Sequence, residues 1–128
     1  MKYLLDTHAF LWFVSDDSRL SYRAKSIIKT GNNEVYFSAA SAWEMSIKIR
    51  LGRLTIEDDL EPFIVKQLAE NSFHALSVTI FHSIYTSKLP EIHKDPFDRM
   101  IIAQSQIEDM HLISQDKNIK KYKVPVVW

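Results

Sequence analysis

The 128-residue chain has no cysteine and is poor in glycine and proline. The lack of cysteine excludes disulfides and thiolate metal ligands, and it is typical of proteins from a reducing compartment. With only two glycines and four prolines, few residues break regular structure, so we expect short loops and many helices. No internal repeat or interdomain linker is visible, and the length suits one domain. We therefore expect residues 1–128 to form a single domain.

The chain also has no excess of charge and no long apolar run. Sixteen Lys and Arg residues balance sixteen Asp and Glu residues, which excludes a strongly basic nucleic-acid binder and requires any such binding to use a local patch. The longest apolar run, Ala9–Val14, is far shorter than the ~20 residues that span a bilayer. Asp6 and His8 interrupt any signal-peptide core. We expect a soluble, cytoplasmic protein without a membrane partner.

Strand-like and helical stretches alternate along the whole chain. The β-branched, aromatic or continuously apolar stretches that predict strands are Lys2–Asp6, Val35–Ser38, Phe73–Val78, His111–Ser114 and Val124–Trp128. The stretches with helical spacing or capping residues are Ala9–Val14, Ser21–Ile28, Ala39–Leu51, Leu60–Leu68, Thr79–Lys88, Asp95–Met110 and Lys117–Lys121. This order predicts an α/β fold, a three-layer α/β/α sandwich with a mostly parallel central sheet.

Two of the predicted helices have informative details. In the helix capped by Thr79, the spacing of Phe81, Ile84 and Tyr85 predicts that these side chains are buried. Asp95 is the expected N-cap of the next helix. Pro96 follows at the first helical position and Asp98 two positions later, which is the strongest helix start in the sequence.

Four carboxylates are placed to meet at one edge of the predicted sheet, where parallel α/β proteins bind ligands. Asp6 ends the first strand, Asp116 follows the fourth, Glu44 lies early in the helix after the second strand, and Asp98 lies in the first turn of its helix. Such a cluster would retain protons unless a cation neutralised it. Oxygen ligands without cysteine select Mg²⁺ or Mn²⁺, which can activate water for phosphodiester hydrolysis.

Each acid taken alone also has a structural interpretation, and the spacing leaves both open. Asp6 can end its strand in an Asx turn, and Asp116 can cap the short helix after it. Glu44 can lie on a solvated helix edge, which is the commoner case. For Asp95 we favour capping, a role that suits Asp98 as well.

Several other residues carry weaker indications. The five histidines lack metal-ligand spacing and are expected at scattered surface or half-buried positions, and the lysines between Lys117 and Lys123 are expected on a solvated face that could meet phosphates. Trp12, Phe13 and Trp43 are expected in the core, or in a partner groove if exposed. The hydroxyls near the predicted edge, Thr7, Ser38 and Ser41, could hold a metal-bound water.

Four separated segments, in order, resemble the PIN-domain family and within it VapC-type toxins of bacterial type II toxin–antitoxin modules. These segments are YLLDTHAFLWF, SAASAWEMSIKIRLGRL, HKDPFDRMIIAQ and LISQDKNIKKYKVPVVW, and the resemblance runs from Met1 to Trp128. It implies that Asp6, Glu44, Asp98 and Asp116 hold Mg²⁺ or Mn²⁺ for RNA hydrolysis. Asp95 also matches the family pattern. Thr7 matches the usual hydroxyl residue after the first acid, while Gln115 and Ser114 leave open which side chain supports Asp116.

The same resemblance implies a homodimer neutralised by a cognate antitoxin, whose C-terminal segment would lie in an apolar groove and reach the acidic pocket. Two other function classes are weighed against an endoribonuclease. A phospho-accepting receiver domain would need an acidic pair after the first strand and an acceptor aspartate after the third, where Thr7, His8 and Thr79 stand instead. A noncatalytic interaction module would have no use for the intact acids.

Overall fold

Five parallel strands form one central sheet in the computed structural model, which describes every residue from Met1 to Trp128. The strands are β1 (Lys2–Leu5), β2 (Glu34–Ser38), β3 (His74–Leu76), β4 (His111–Ile113) and β5 (Val126–Val127). They lie in the order β3-β2-β1-β4-β5, and every neighbouring pair is parallel. The predicted mostly parallel sheet is confirmed.

Six α-helices connect or flank these strands. They are α1 (Thr7–Val14), α2 (Tyr22–Lys29), α3 (Ala39–Arg50), α4 (Leu60–Asn71), α5 (Ile80–Tyr85) and α6 (Pro96–Glu108). Two short 3₁₀ turns lie between α5 and α6 (Thr86–Lys88) and between β4 and β5 (Ile119–Lys121). The helix predicted at Lys117–Lys121 is therefore a single turn. None of the helices has both the length and the apolar character needed to cross a membrane.

The sheet is covered on both faces, which is the reason for three layers. Leu4 and Leu112 belong to one buried cluster, together with residues of α6, and their strand neighbours Leu5 and Ile113 belong to the other, together with Phe10 of α1. Successive side chains of a strand point to opposite faces of the sheet. The continuous apolar runs of β1 and β4 therefore fill two cores at once.

Capping side chains fix several helix starts as the sequence predicts. The Ser21 side chain accepts a hydrogen bond from the Ala24 amide, and Asp95 accepts from the amides of Phe97 and Asp98. Asp6 accepts from the Ala9 amide, so α1 begins at Thr7, earlier than the predicted Ala9. The predicted strands Phe73–Val78 and Val124–Trp128 are longer than the observed β3 and β5, an ordinary uncertainty of element ends.

The predicted burial of α5 is wrong for two of its three residues. Phe81 is 76% exposed and Ile84 is 58% exposed, while Tyr85 is half-buried against the α6 side of the sheet. The side chain that anchors α5 is His82, which forms a capping box with Thr79 and pairs with Glu108 of α6 at 2.7 Å. Because this polar anchor turns inward, the apolar side chains on the other side of the helix face solvent.

Candidate active site

Asp6 lies where β1 ends, with 6% of its surface exposed. One carboxylate oxygen, Oδ1, accepts a hydrogen bond of 2.7 Å from the Ala9 amide, so the Asx-type capping interpretation is correct. Burial raises the pKa of the Asp6 carboxyl above its ordinary value, and the nearby Asp116 carboxylate raises it further, although hydrogen bonds from Ser114 and Ala9 oppose this rise. Asp6 is thus both a helix cap and a carboxylate that burial disfavours as an anion.

Asp116 lies beside Asp6 because β1 and β4 are neighbours in the sheet. Both acids line one cavity of about 510 Å³, together with side chains that include His8 and Trp12. Asp116 Oδ1 accepts hydrogen bonds from the amides of Asn118 (2.7 Å) and Ile119 (3.3 Å), which confirms its capping role.

Ser114 connects these two acids. Its buried hydroxyl oxygen accepts a hydrogen bond from the Asp116 amide at 3.0 Å, and the Ser114 side chain also lowers the pKa of the Asp6 carboxyl. The question left open by the sequence, whether Ser114 or Gln115 supports Asp116, is answered in favour of Ser114. Gln115 is exposed and lines the cavity.

Asp98 lies in the first turn of α6. Its amide is held by Asp95 Oδ1 at 3.0 Å, and its carboxylate Oδ2 contacts His93 Nε2 at 3.2 Å. Burial raises the pKa of Asp98 to about 7, with further upward contributions from the Asp95 and Asp116 carboxylates and a downward one from His93. A helix N-terminus favours an anion, whereas burial and the neighbouring acids act in the opposite direction and raise the pKa of Asp98.

Glu44 is buried on α3, so the solvated-edge interpretation is wrong. Its Oε1 accepts the Thr7 hydroxyl at 2.7 Å, and its Oε2 pairs with Lys48 Nζ at 2.6 Å. Thr7 directly follows Asp6, so this bond joins α3 to the end of β1. On the same helix face as Glu44, one turn earlier, the buried Ser41 hydroxyl has no hydrogen-bond partner.

The structure therefore brings three of the four acids into direct electrostatic contact and links the fourth, Glu44, to them indirectly. Asp116 acts electrostatically on both Asp6 and Asp98, whereas Glu44 is linked to the group through Thr7 and has its charge balanced by Lys48. No three His, Asp or Glu side chains are close enough to enclose an ion as they stand. By its chemistry the donor set still fits Mg²⁺ or Mn²⁺, because all donors are oxygens, the pKa values of the Asp6 and Asp98 carboxyls are both raised, and the buried Ser41 hydroxyl is unpaired.

Two side chains at this site, Lys48 and His93, were not among the candidates that the sequence predicts. The spacing of Lys48, four residues after Glu44, is that of a helical ion pair, and His93 stands two residues before Asp95. Both could have been found from position alone. His82, expected at the surface or half-buried, is fully buried.

The aromatic and basic candidates also divide. Trp12 is buried and meets Trp128 edge to face, and Phe13 packs on Phe73, as expected for core residues. Trp43 is 64% exposed and contacts only the edge of Phe97 among the aromatic rings.

Of the proposed hydroxyls, Ser38 donates to Gln104 at 2.6 Å. The lysines from Lys117 to Lys123 are exposed, as expected.

Comparisons with known proteins agree with this fold. The family model described as PIN domain matches residues 3–125. No curated relative matches the amino-acid sequence itself. The structure is similar to a chain of the VapBC2 complex from Rickettsia felis bound to promoter DNA, with 14% identity and a TM-score of 0.75, covering 100% of this chain and 99% of that one.

Two further complexes contain similar chains. DNA-bound VapBC from Salmonella typhimurium gives 12% identity and a TM-score of 0.67, and VapBC-1 from nontypeable Haemophilus influenzae gives 16% and 0.64. In both cases the match covers 99% of this chain and 97% of the other. With the family model spanning nearly the whole sequence, the chain belongs to the PIN-domain family, a family of nucleases that generally use divalent metal ions.

Proposed function

We propose that this protein is a metal-dependent endoribonuclease that hydrolyses RNA phosphodiester bonds as the toxin of a toxin–antitoxin pair. The observation that carries the proposal is the group of Asp6, Asp98 and Asp116 at the carboxyl edge of an all-parallel sheet. The pKa is raised above its ordinary value for the first two, with Asp116 contributing to both rises. Carboxylates that repel one another without a cation form a typical site for a hard divalent ion.

The residues have separable roles in this proposal. Asp6, Asp98 and Asp116 would hold Mg²⁺ or Mn²⁺, and Glu44 would complete the site from α3. When bound, such an ion activates water and polarises the phosphoryl group. Lys48 forms an ion pair with Glu44 at 2.6 Å and would add a positive charge that favours the approach of a phosphate. Ser114 supports the backbone of Asp116 beside Asp6. The unpaired Ser41 hydroxyl could donate a hydrogen bond to a bound water or accept one from it.

The test compares Asp6→Asn with Asp109→Asn. Asp109 is an exposed acid after α6 whose left-handed backbone (φ of 55°) an asparagine also tolerates, so it is a matched control. We expect wild type and Asp109→Asn to arrest bacterial growth and to cut RNA with Mg²⁺ or Mn²⁺, and Asp6→Asn to do neither. Cleavage that continues unchanged in EDTA would refute the metal mechanism. A wild type that neither cuts RNA nor binds Mn²⁺ would favour the noncatalytic module.

We propose an antitoxin as the protein partner, supported by the similarity to chains of VapBC complexes. A groove of about 730 Å³ shares His8 and Trp12 with the acid cavity, so a segment lying in it would lead directly to Asp6. The groove lies between α1 and α4 and carries both apolar and charged side chains, among them Leu11 and Arg53. Both features suit an extended peptide with alternating apolar and polar residues.

The partner proposal is tested with the product of the reading frame adjacent to this gene. We expect it to co-purify with the wild-type chain and to block RNA cleavage. Filling the groove with Thr55→Trp should abolish both effects, whereas Thr30→Trp, an exposed position at the end of α2, should leave them intact. If the wild type, Thr55→Trp and Thr30→Trp all captured the partner equally, the partner would bind outside this groove.

We also propose that two copies form a homodimer through the solvent-facing side of α5. Ile80, Phe81 and Ile84 expose most of their apolar surface there. Such a contiguous patch is unusual on a monomer. We expect Phe81→Glu to convert a dimer into a monomer by sedimentation, while Val65→Glu, at a valine on α4 that is 62% exposed, leaves the dimer intact. A wild type that sediments as a monomer would contradict the homodimer.

A further inference from the structure

A chain of side-chain hydrogen bonds ends on the carboxylate of Asp98. Arg99 Nη1 lies 3.1 Å from the Tyr122 hydroxyl, Tyr122 lies 2.7 Å from His93 Nδ1, and His93 Nε2 lies 3.2 Å from Asp98 Oδ2. The four residues come from α6, from the loop before it, and from the segment before β5. Tyr122 is 23 residues from Arg99 and 29 from His93 in the sequence, so no local spacing suggests that it meets them.

The direction of this chain follows from its first member. A guanidinium can only donate, so the Tyr122 oxygen is the acceptor in its bond with Arg99. The Tyr122 hydroxyl proton is then available to His93 Nδ1, and in this arrangement Nδ1 is the acceptor. In the neutral imidazole this leaves the proton on Nε2, and Nε2 donates it to Asp98. Each bond thus sets the polarity of the next.

The side chains of this hydrogen-bonded series are also held rigidly. Besides Tyr122, Arg99 donates to the carbonyls of Pro90 at 2.8 Å and Thr86 at 3.0 Å, which fixes the loop that carries His93. The Tyr122 ring is buried in the apolar cluster on the α6 side of the sheet and meets the His93 ring edge to face at 5.4 Å. A side chain with so many constraints has few alternative rotamers.

We infer that His93 is a positioning residue that orients the Asp98 carboxylate for the divalent ion. By engaging Oδ2, the imidazole fixes the rotation of the carboxylate and leaves Oδ1 for the ion. Outer partners of this kind determine how well a carboxylate is placed as a ligand. The inference rests on the proposed function, since it takes Asp98 as a metal ligand. It adds roles for His93, Tyr122 and Arg99 that the four acids do not supply.

The experiment measures Mn²⁺ binding to the full chain by calorimetry, without substrate. We expect His93→Leu to weaken binding about 10- to 100-fold, the usual effect of losing an outer-shell partner. His93→Gln should restore most of the affinity, because its amide nitrogen can reach the position of Nε2. Tyr122→Phe should fall between wild type and His93→Leu, since the imidazole stays but its tautomer is no longer fixed.

Two controls separate this inference from the proposed function. His111→Leu removes a half-buried histidine at the opposite, amino-terminal end of β4 and should leave Mn²⁺ affinity unchanged. Asp98→Asn should abolish tight binding, and if the wild type itself does not bind Mn²⁺, the proposed function fails and this inference with it. If the wild type binds but His93→Leu binds equally well, only the positioning role is refuted. The same holds if His93→Gln is as weak as His93→Leu in chains that all melt cooperatively.

Discussion

The carboxyl group of Asp98 couples the stability of the metal-free protein to pH. Its pKa in the folded chain is about 7, against roughly 3.9 in an unfolded chain. Between these values this carboxyl binds more protons in the folded state than in the unfolded state, so its contribution to stability is fully present below about pH 4 and is lost as pH rises to about 7. Asp6, whose pKa is also raised by burial, contributes in the same direction.

We predict that Asp98→Asn stabilises the metal-free protein at pH 8 and has no effect at pH 4. Asparagine keeps the acceptor for His93 and cannot ionise, so it avoids burying a charge. The gain at pH 8 should be on the order of 2–4 kcal/mol, given ~1.4 kcal/mol per pKa unit. Urea unfolding in EDTA at the two pH values measures it. An equal gain at both pH values would mean that the ionisation of Asp98 is not the cause.

The Ser114 hydroxyl acts on both Asp6 and Asp116. We predict that Ser114→Ala weakens Mn²⁺ binding and RNA cleavage about 10- to 100-fold, because the bond to the Asp116 amide and the effect of Ser114 that lowers the pKa of Asp6 are both lost. Ser105→Ala is the matched control. This buried serine on α6 bonds to the Met110 carbonyl, so its loss should cost about 1 kcal/mol of stability and leave metal binding unchanged. Calorimetry and urea unfolding on both variants separate the two effects.

Residue types alone could not settle what Glu44 does. The sequence placed it on a helix next to Trp43 and made the solvated edge the commoner interpretation. In the structure Trp43 is the exposed member of the pair and Glu44 is the buried one. The reason is that Glu44 has two partners, Thr7 and Lys48, that offset the cost of burial. The Lys48 partner lies at a helical i,i+4 spacing, but Thr7 is 37 residues away from Glu44, and no local pattern contains that contact.

At the scale of elements, Asp95 both caps the N-terminus of α6 and changes the electrostatics of the site. Asp95 Oδ1 accepts from the amides of Phe97 and Asp98, and the Asp95 charge raises the pKa of Asp98. These two roles can be separated, because a serine can cap a helix without carrying a charge.

We predict that Asp95→Ser preserves stability within a few tenths of a kcal/mol, and that Asp95→Ala costs about 1 kcal/mol. Both variants should lower the pKa of Asp98, because each removes the neighbouring negative charge. Urea unfolding gives the stabilities, and NMR titration of the Asp98 carboxyl gives the pKa. A serine variant as unstable as the alanine variant would contradict the capping role.

The sequence predicts which stretches form strands and helices more readily than it predicts which side of each helix is buried. Parallel strands buried on both sides have continuous apolar runs, and capping residues mark helix starts whatever the tertiary structure, so β1, β4 and α6 could be predicted. For α5 the spacing of Phe81, Ile84 and Tyr85 indicates an apolar stripe but not what covers it. The pairing of His82 with Glu108, set by the packing of α5 on α6, decides which side turns inward.

At the scale of the whole molecule, the site joins parts of the chain that are remote in sequence. Asp6 follows β1, Asp98 begins α6, and Asp116 follows β4, so the three carboxylates are neighbours only in the folded state. An ion that requires all three cannot bind the unfolded chain equally well. Its binding free energy therefore adds to the stability of the fold.

We predict that Mn²⁺ at about 100 times its dissociation constant stabilises the protein by about 2.7 kcal/mol. For a domain of this length, that corresponds to a rise in melting temperature of roughly 10 °C. EDTA should reverse the rise completely, because the protein without the ion is already folded around the same acids. Differential scanning calorimetry with and without the ion measures it.

Asp116→Asn tests whether this stabilisation arises at the proposed site. Asparagine retains the side-chain oxygen that caps the 3₁₀ turn, so the variant should fold, and loss of the Asp116 charge should lower the pKa values of Asp6 and Asp98. The metal-free variant should then melt at or above the wild-type temperature, since fewer negative charges are crowded together. With Mn²⁺ it should gain little. If the ion stabilised Asp116→Asn as much as the wild type, it would be binding elsewhere, and the link between the fold and the three-carboxylate site would be wrong.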